Sequence, residues 1–444
     1  MFNKTKQPPE ILPETEKSLG LEQASDLIHR LVIDQSDNEE TLILFQEASA
    51  GNPECIARVK QYMCEILNHH RVIVENMNSA EVAEEIYRTL WGFGKIQELY
   101  YNKEIDEIRV NPNGRVFISK RGKNLPTTIK MTKEEIKNLI ERLIPYTDRG
   151  SSLNESSPKL ELVRPDGMRV TALCSPIVNG YGLAIRKHGN IILSAESLKE
   201  LKTMDDTIWN LLRLLIKGRR NILISGGVNT GKSTLLKLLL GEYASNLSIR
   251  ILDLDNELHA SKIYPDRDIW ELEAHPEIDV DMNSLFMSIL RLTPDVIVVG
   301  EFRGVGEARE AIRACTRGHT GLATAHFSEP EEAIQGTAMM MLEEGISLDI
   351  NNAQLRVAQA FQFIVQMISD TSRGIKKIIG ITEVIVTDDR EIKYKTIAEW
   401  RPTSKDFMGT GEWVLVNPLS DKCIKSMEVY NVTEKELQEI FAKE

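Results

Sequence analysis

The sequence predicts an α/β protein built on a mainly parallel sheet, preceded by a smaller α+β domain and an N-terminal helical segment. Three observations carry this prediction. Short runs that are apolar on both faces alternate with helical stretches: Ile222-Leu223-Ile224, Ile249-Arg250-Ile251-Leu252, Val296-Ile297-Val298-Val299 and Leu322-Ala323-Thr324-Ala325. Strands of this kind belong in a parallel sheet covered by helices. Residues 95–187 have a different texture, of strands joined by tight turns. Residues from about Leu21 to Trp91 carry helical periodicity.

In chain order, residues 1–20 mix Pro, Lys, Glu and Thr and read as a flexible tail. In the helical region, 21–94, Val82, Ile86 and Leu90 recur at four-residue spacing, and Gly92 and Gly94 stop the helix. Within the α+β domain, 95–187, Ile108-Arg109-Val110, the turn Asn111-Pro112-Asn113-Gly114 and Arg115-Val116-Phe117-Ile118 read as a hairpin. Thr132 to Glu135 forms a capping box before the apolar set Ile136, Leu139, Ile140 and Leu143. A second hairpin turns at Pro165-Asp166-Gly167, and Gly182 to Arg186 is a further strand. Residues 188–193 form a linker, 194–386 the parallel-sheet domain, and 387–444 a C-terminal appendage that closes with a capped helix at Thr433 to Glu436.

A length of 444 residues suggests about three structural units. Hydrophobic residues at 42% and charged residues at 27% are enough for sizeable cores and argue against intrinsic disorder. The net charge of −12 argues against a dedicated duplex-DNA coat. Five cysteines without a CxxC pair read as reduced thiols. The N-terminus lacks a signal-peptide pattern, and no run of 18 apolar residues is present to span a membrane.

The chemistry is concentrated in Gly226-Gly227-Val228-Asn229-Thr230-Gly231-Lys232-Ser233, which fits G-x-x-x-x-G-K-[ST]. Glycines let the backbone wrap a phosphate chain, and amides at the following helix start point at the anion. Lys232 supplies a charge for the β and γ phosphates, and Ser233 offers a hydroxyl to Mg²⁺. A strand before the loop and an apolar helix from Thr234 supply the frame this motif requires.

Hydrolysis also needs carboxylates at the carboxyl ends of neighbouring strands. Glu301 emerges after Val296 to Gly300, and Asp253, Asp255 and Glu257 follow the strand ending at Leu252. A solvated acidic turn is the alternative for that second group. His319 precedes and His326 closes the strand at 322–325, where a γ-phosphate contact or a structural hydrogen bond are both open. His69-His70 near Cys64 lacks complementary metal-ligand spacing.

These motifs resemble the type II/IV secretion-system ATPases, in particular the CpaF/TadA-like branch, over roughly residues 90–386. The phosphate loop, Asp253 to Leu258, Pro294 to Gly304 and Gly318 to His326 are similar to the family's phosphate loop, acidic box, Walker B segment and histidine box. The smaller domain resembles the family's in Asp106 to Asn111, Asn154 to Pro158, Arg164 to Val170 and Leu183 to Lys187. Three departures stand out: Leu254 where a second adjacent carboxylate is usual, a histidine box one residue shorter than in that branch, and Val228-Asn229 where Thr-Gly is common.

The resemblance implies a RecA-like P-loop ATPase fold and ATP hydrolysis with Mg²⁺ by a homohexameric ring. Catalytic roles fall to Glu301, Glu257, Lys232 and Arg186. Nucleotide binding falls to Gly226 through Thr234 with Arg164 and Arg169. Metal binding falls to Ser233, Asp253 and Glu301, and γ-phosphate sensing to His319 and His326. It further implies a cytoplasmic protein attached to the inner membrane through a platform partner of a secretion, pilus or conjugation apparatus, and the acidic net charge argues against direct nucleic-acid binding. A regulatory nucleotide-binding scaffold with weak turnover and a DNA-translocating motor are the alternatives.

Overall fold

The computed structural model describes residues 17–34, 39–49, 52–120, 122–144, 152–164, 167–187, 194–253, 258–275, 278–302, 304, 306–345 and 347–441. Two compact units emerge, Met1–Asn190 and Ile191–Glu444. Residues 1–16 of the expected tail and the expected linker at 188–193 lie outside the described residues.

The first unit opens with β1 (Lys17–Ser18), α1 (Leu21–Asp34), α2 (Glu39–Ser49), α3 (Pro53–His69), β2 (Val72–Ile73) and α4 (Ser79–Leu90). Ile28, Met63, Leu67, Ile86 and Tyr87 form its helical core. The apolar spacing in α4 produces this core, and Asn78 and Glu81 cap the helix reciprocally. After α5 (Gln97–Tyr101) come β3 (Ile105–Val110), β4 (Arg115–Lys120), β5 (Lys123–Lys130), α6 (Lys133–Leu143), β6 (Lys159–Val163), β7 (Arg169–Cys174) and β8 (Tyr181–Arg186). Among the described residues these strands form a six-stranded antiparallel sheet in the order β5-β4-β3-β8-β7-β6. The apolar face of α6 packs with Ile108, Val110, Val170 and Ile185 in one core. Thr132 and Glu135 cap α6 as the sequence predicts.

The second unit contains α7 (Ala195–Glu200), α8 (Asp206–Lys217), β9 (Ile222–Gly226), α9 (Lys232–Glu242), β10 (Ile249–Leu252), α10 (Ala260–Ile263), β11 (Ile269–Leu272), α11 (Met282–Arg291), β12 (Val296–Val299), α12 (Glu307–Thr316), β13 (Thr320–Ala325), α13 (Pro330–Glu343), α14 (Ile350–Ala360), β14 (Phe363–Asp370), β15 (Ile375–Val386), β16 (Ile392–Pro402), β17 (Gly411–Leu415), α15 (Asp421–Glu428) and α16 (Glu434–Phe441). Among the described residues the sheet has nine strands, in the order β11-β10-β12-β13-β9-β14-β15-β16-β17. Pairing is parallel from β11 to β14 and antiparallel from β14 to β17.

Alternation along the strands divides the core. Ile222, Ile224, Val296 and Val298 face one layer with α8 and α9. Leu223, Ile297 and Val299 face the other with α11 to α14. Burial on both faces is why β12 reads as four consecutive apolar residues.

One expectation is corrected here. Residues 387–444 are not an appendage: β16 and β17 extend the sheet, and α15 and α16 cover it. β16 alternates apolar with polar residues over Ile392–Thr396, unlike the parallel strands, and Trp413–Leu415 of β17 is a short apolar run that the sequence reading passed over. Among the described residues no helix is long and apolar enough to cross a membrane.

Candidate functional site

In the sheet order β10-β12-β13-β9, four strands end side by side. Asp253 follows β10, Glu301 follows Gly300 beyond β12, His326 follows β13, and the glycine loop follows β9. Parallel strands about 4.8 Å apart therefore set these groups in a row along one rim of the sheet.

The loop fits where a side chain would not. At Gly226, φ is +155° and an added Cβ would sit 2.2 Å from the Met367 carbonyl oxygen of β14. Gly231 begins α9 at φ +98°, a left-handed conformation that glycine adopts without strain. Thr230 Oγ1 donates to the Gly227 carbonyl at 3.0 Å and tightens the turn. Gly227, Val228 and Asn229 are exposed at its tip, and Ser233 and Thr234 are half-buried on the first turn of α9.

Lys232 is buried, and its ammonium lies 2.9 Å from the carbonyl oxygens of Gly226 and Gly227 and 3.1 Å from His326 Nδ1. An ammonium has three hydrogens and no lone pair, so His326 Nδ1 accepts. The proton of neutral His326 then sits on Nε2, which contacts the Glu301 carboxylate. Lys232, His326 and Glu301 thus form one continuous chain across three strands.

Burial lowers the Lys232 ammonium to about 8, and the Glu301 carboxylate opposes that shift. The ammonium therefore loses its proton as pH rises through about 8. Nucleotide affinity is expected to fall by up to about tenfold per pH unit above that point. Titrating a fluorescent nucleotide between about pH 6.5 and 9.5 measures this, and a flat profile in the wild type contradicts it.

The surroundings hold the chain in place. Thr324 Oγ1 donates to the Gly300 carbonyl at 2.6 Å, and the Phe302 amide donates to the Thr324 carbonyl at 3.0 Å. Both bonds fix the rim residue Glu301 between them. Ser225 Oγ and Gln366 Nε2 donate to the Phe327 carbonyl at 2.9 and 2.8 Å, bracing the turn after His326. Gly300 has a role that its place at a strand end does not announce: a Cβ there would lie 2.9 Å from Asp253 Oδ1. Asp253 itself is buried and accepts from the Leu258 amide at 3.1 Å.

Other expected residues are placed differently. His319 lies before β13, at the opposite end of the sheet, with Nδ1 2.9 Å from the Pro294 carbonyl. Six residues of strand, about 20 Å, separate it from the rim. A γ-phosphate contact from His319 is therefore corrected to a hydrogen bond that anchors the entry to β12. Glu257, with Asp255, lies outside the described residues.

The three arginines belong to the first unit. Arg164 is buried, donates to the Leu143 carbonyl at 3.1 Å and lies over the Phe93 ring. At least one of its N–H groups is thus spent inside the first unit. Arg169 and Arg186 are direct cross-strand partners on β7 and β8, with Glu107 opposite Arg186 on β3. Arg186 is exposed and Arg169 half-buried.

The family described as Type II/IV secretion system protein matches residues 90–435. Conjugal transfer protein TrbB of Rhizobium radiobacter is 28% identical over 281 residues, covering 62% of this chain and 83% of TrbB. Competence protein ComGA of Bacillus subtilis is 26% identical over 242 residues, covering 53% of this chain and 64% of ComGA. Among solved structures, the Legionella pneumophila ATPase DotB aligns with a TM-score of 0.45 at 14% identity, covering 78% of this chain and 85% of DotB. The family match runs from the end of α4 to the start of α16, taking in the loop, the rim carboxylates and both histidines, and the chain belongs to the type II/IV secretion system protein family.

Proposed function

We propose that the chain hydrolyses ATP at the Gly226–Ser233 loop and works as a ring-forming motor of a secretion, pilus-assembly or conjugation apparatus. The observation that carries this reading is the Lys232–His326–Glu301 chain beside the loop. It puts a cation for the phosphates and a carboxylate for water on one rim of the sheet. Glu301 is the group that orients or deprotonates the attacking water, and Glu257 is its expected helper. His326 holds Glu301 in place and reports on the phosphate through Lys232, because any phosphate that draws the ammonium away frees Nδ1.

Ser233, Asp253 and Glu301 are hard oxygen donors suited to Mg²⁺, which is commonly bound by one or two carboxylates together with substrate phosphates. When bound, Mg²⁺ would neutralise phosphate charge there. Arg169 and Arg186 are the candidate cations from the first unit. They are direct partners on neighbouring strands, so both side chains rise from one face of the antiparallel sheet. On this reading the first unit closes on bound nucleotide and reopens after hydrolysis, moving a platform protein at the cytoplasmic face of the inner membrane. The order of motifs in the first unit favours the CpaF/TadA-like branch.

ATP turnover of the wild type and Lys232→Ala tests the enzymatic core. Loss of the ammonium is expected to lower turnover by about 100-fold or more. Equal turnover in the two proteins would end the proposal.

A further inference from the structure

The loop tip carries Asn229 at φ +61°, a conformation that Asn tolerates better than most residues. Its side-chain oxygen accepts from Lys376 Nζ at 3.0 Å. Lys376 is the second residue of β15, and its Cδ is 3.5 Å from where a Cβ on Gly231 would stand. The lysine stem therefore runs from the start of α9 to the tip of the loop, along the side of β9 away from His326 and Glu301.

Two features fix it there. The turn between β14 and β15 is tied down by Arg373, which donates to Asp370 at 2.5 Å and to both oxygens of Asp406 at 2.5 and 3.0 Å. The next residue, Lys377, turns to the opposite face and places its ammonium 3.4 Å from the Trp400 ring centroid and 4.8 Å from that of Trp413. With Lys377 locked inward, strand alternation obliges Lys376 to face the loop.

We propose that Lys376 is a second phosphate-binding cation of this site, supplied by the same chain, and that Asn229 holds it only until a phosphate chain arrives. This rests on the reading that the loop binds a nucleotide. An ammonium gains more from a charged phosphate oxygen than from the neutral amide oxygen of Asn229. Lys232 enters from the β13 side and Lys376 from the β14 side. The two cations then flank the phosphates shared by ADP and ATP, while Glu301 and His326 remain for the γ position.

The test is the affinity of the full chain for a fluorescent ADP, compared for wild type, Lys376→Arg, Lys376→Met and Lys376→Gln. Loss of the charge in the Met and Gln variants is expected to weaken binding about tenfold, and the Arg variant to stay within about threefold of wild type. Gln keeps an N–H for Asn229 without a charge. Wild-type affinity in Lys376→Gln therefore means that the residue only shapes the loop, which overturns the proposal. Binding by the wild type with unchanged affinity in all three variants overturns it while sparing the nucleotide reading. No binding by the wild type removes both.

Discussion

Replacing Glu301 by Gln is expected to lower ATP turnover by about 10²–10⁴-fold, the usual contribution of a positioned base, while nucleotide still binds. The substitution preserves shape. With its amide oxygen turned to His326 Nε2, Gln keeps the contact that the carboxylate makes. What disappears is the negative charge and the basicity. Nucleotide affinity measured without Mg²⁺ is expected to hold or rise, because a carboxylate near the γ-phosphate repels it. The two measurements, turnover and fluorescent-nucleotide affinity, separate a chemical role from a binding role. Turnover within about threefold of wild type would falsify the assignment of Glu301 as the base.

Gly226→Ala is expected to be the most damaging single methyl in the second unit. Its Cβ would meet a backbone oxygen at 2.2 Å, at a φ of +155°. No side-chain rotation relieves a clash with main chain, so either β9 and β14 separate or the loop moves. Strained dihedrals cost about 1–3 kcal/mol and overpacking a similar amount, so the total is a few kcal/mol. In a unit of this size that lowers Tm by about 5–15 °C. Nucleotide binding should be lost with it, since the loop amides shift. Gly227→Ala is the control for stability, because its Cβ meets only Thr230 Cγ2, at 3.8 Å. A Tm for Gly226→Ala equal to that of Gly227→Ala contradicts the packing argument.

Much of the site was legible because its chemistry constrains neighbours in sequence. A phosphate cradle needs glycines and a lysine at fixed spacing, and a strand buried on both faces must be apolar throughout. Val296–Val299 and Ile249–Leu252 are accordingly strands over the residues expected. The capping boxes at Thr132 and Thr433 were legible for the same reason, since both partners lie three residues apart. What stayed hidden depends on distance in the chain. Lys376 reaches Asn229 across 147 positions, and Gln366 reaches Phe327 across 39. No local pattern marks either. The identity of Gly300 was visible but its reason was not, since that reason is the side chain of Asp253 on the adjoining strand. His319 misled because a histidine before a strand and one after it look equivalent in sequence, whereas a strand's length separates their environments.

The nine-stranded sheet carries a practical consequence for anyone trimming the chain to its enzymatic core. Cutting after Val386 would take away β16, which pairs along β15 from Gly380 to Val386. A long row of amides and carbonyls would then lie open to water, inviting neighbouring molecules to dock strand against strand. Shortened versions ending there should precipitate or associate non-natively, and their idleness would say nothing about catalysis.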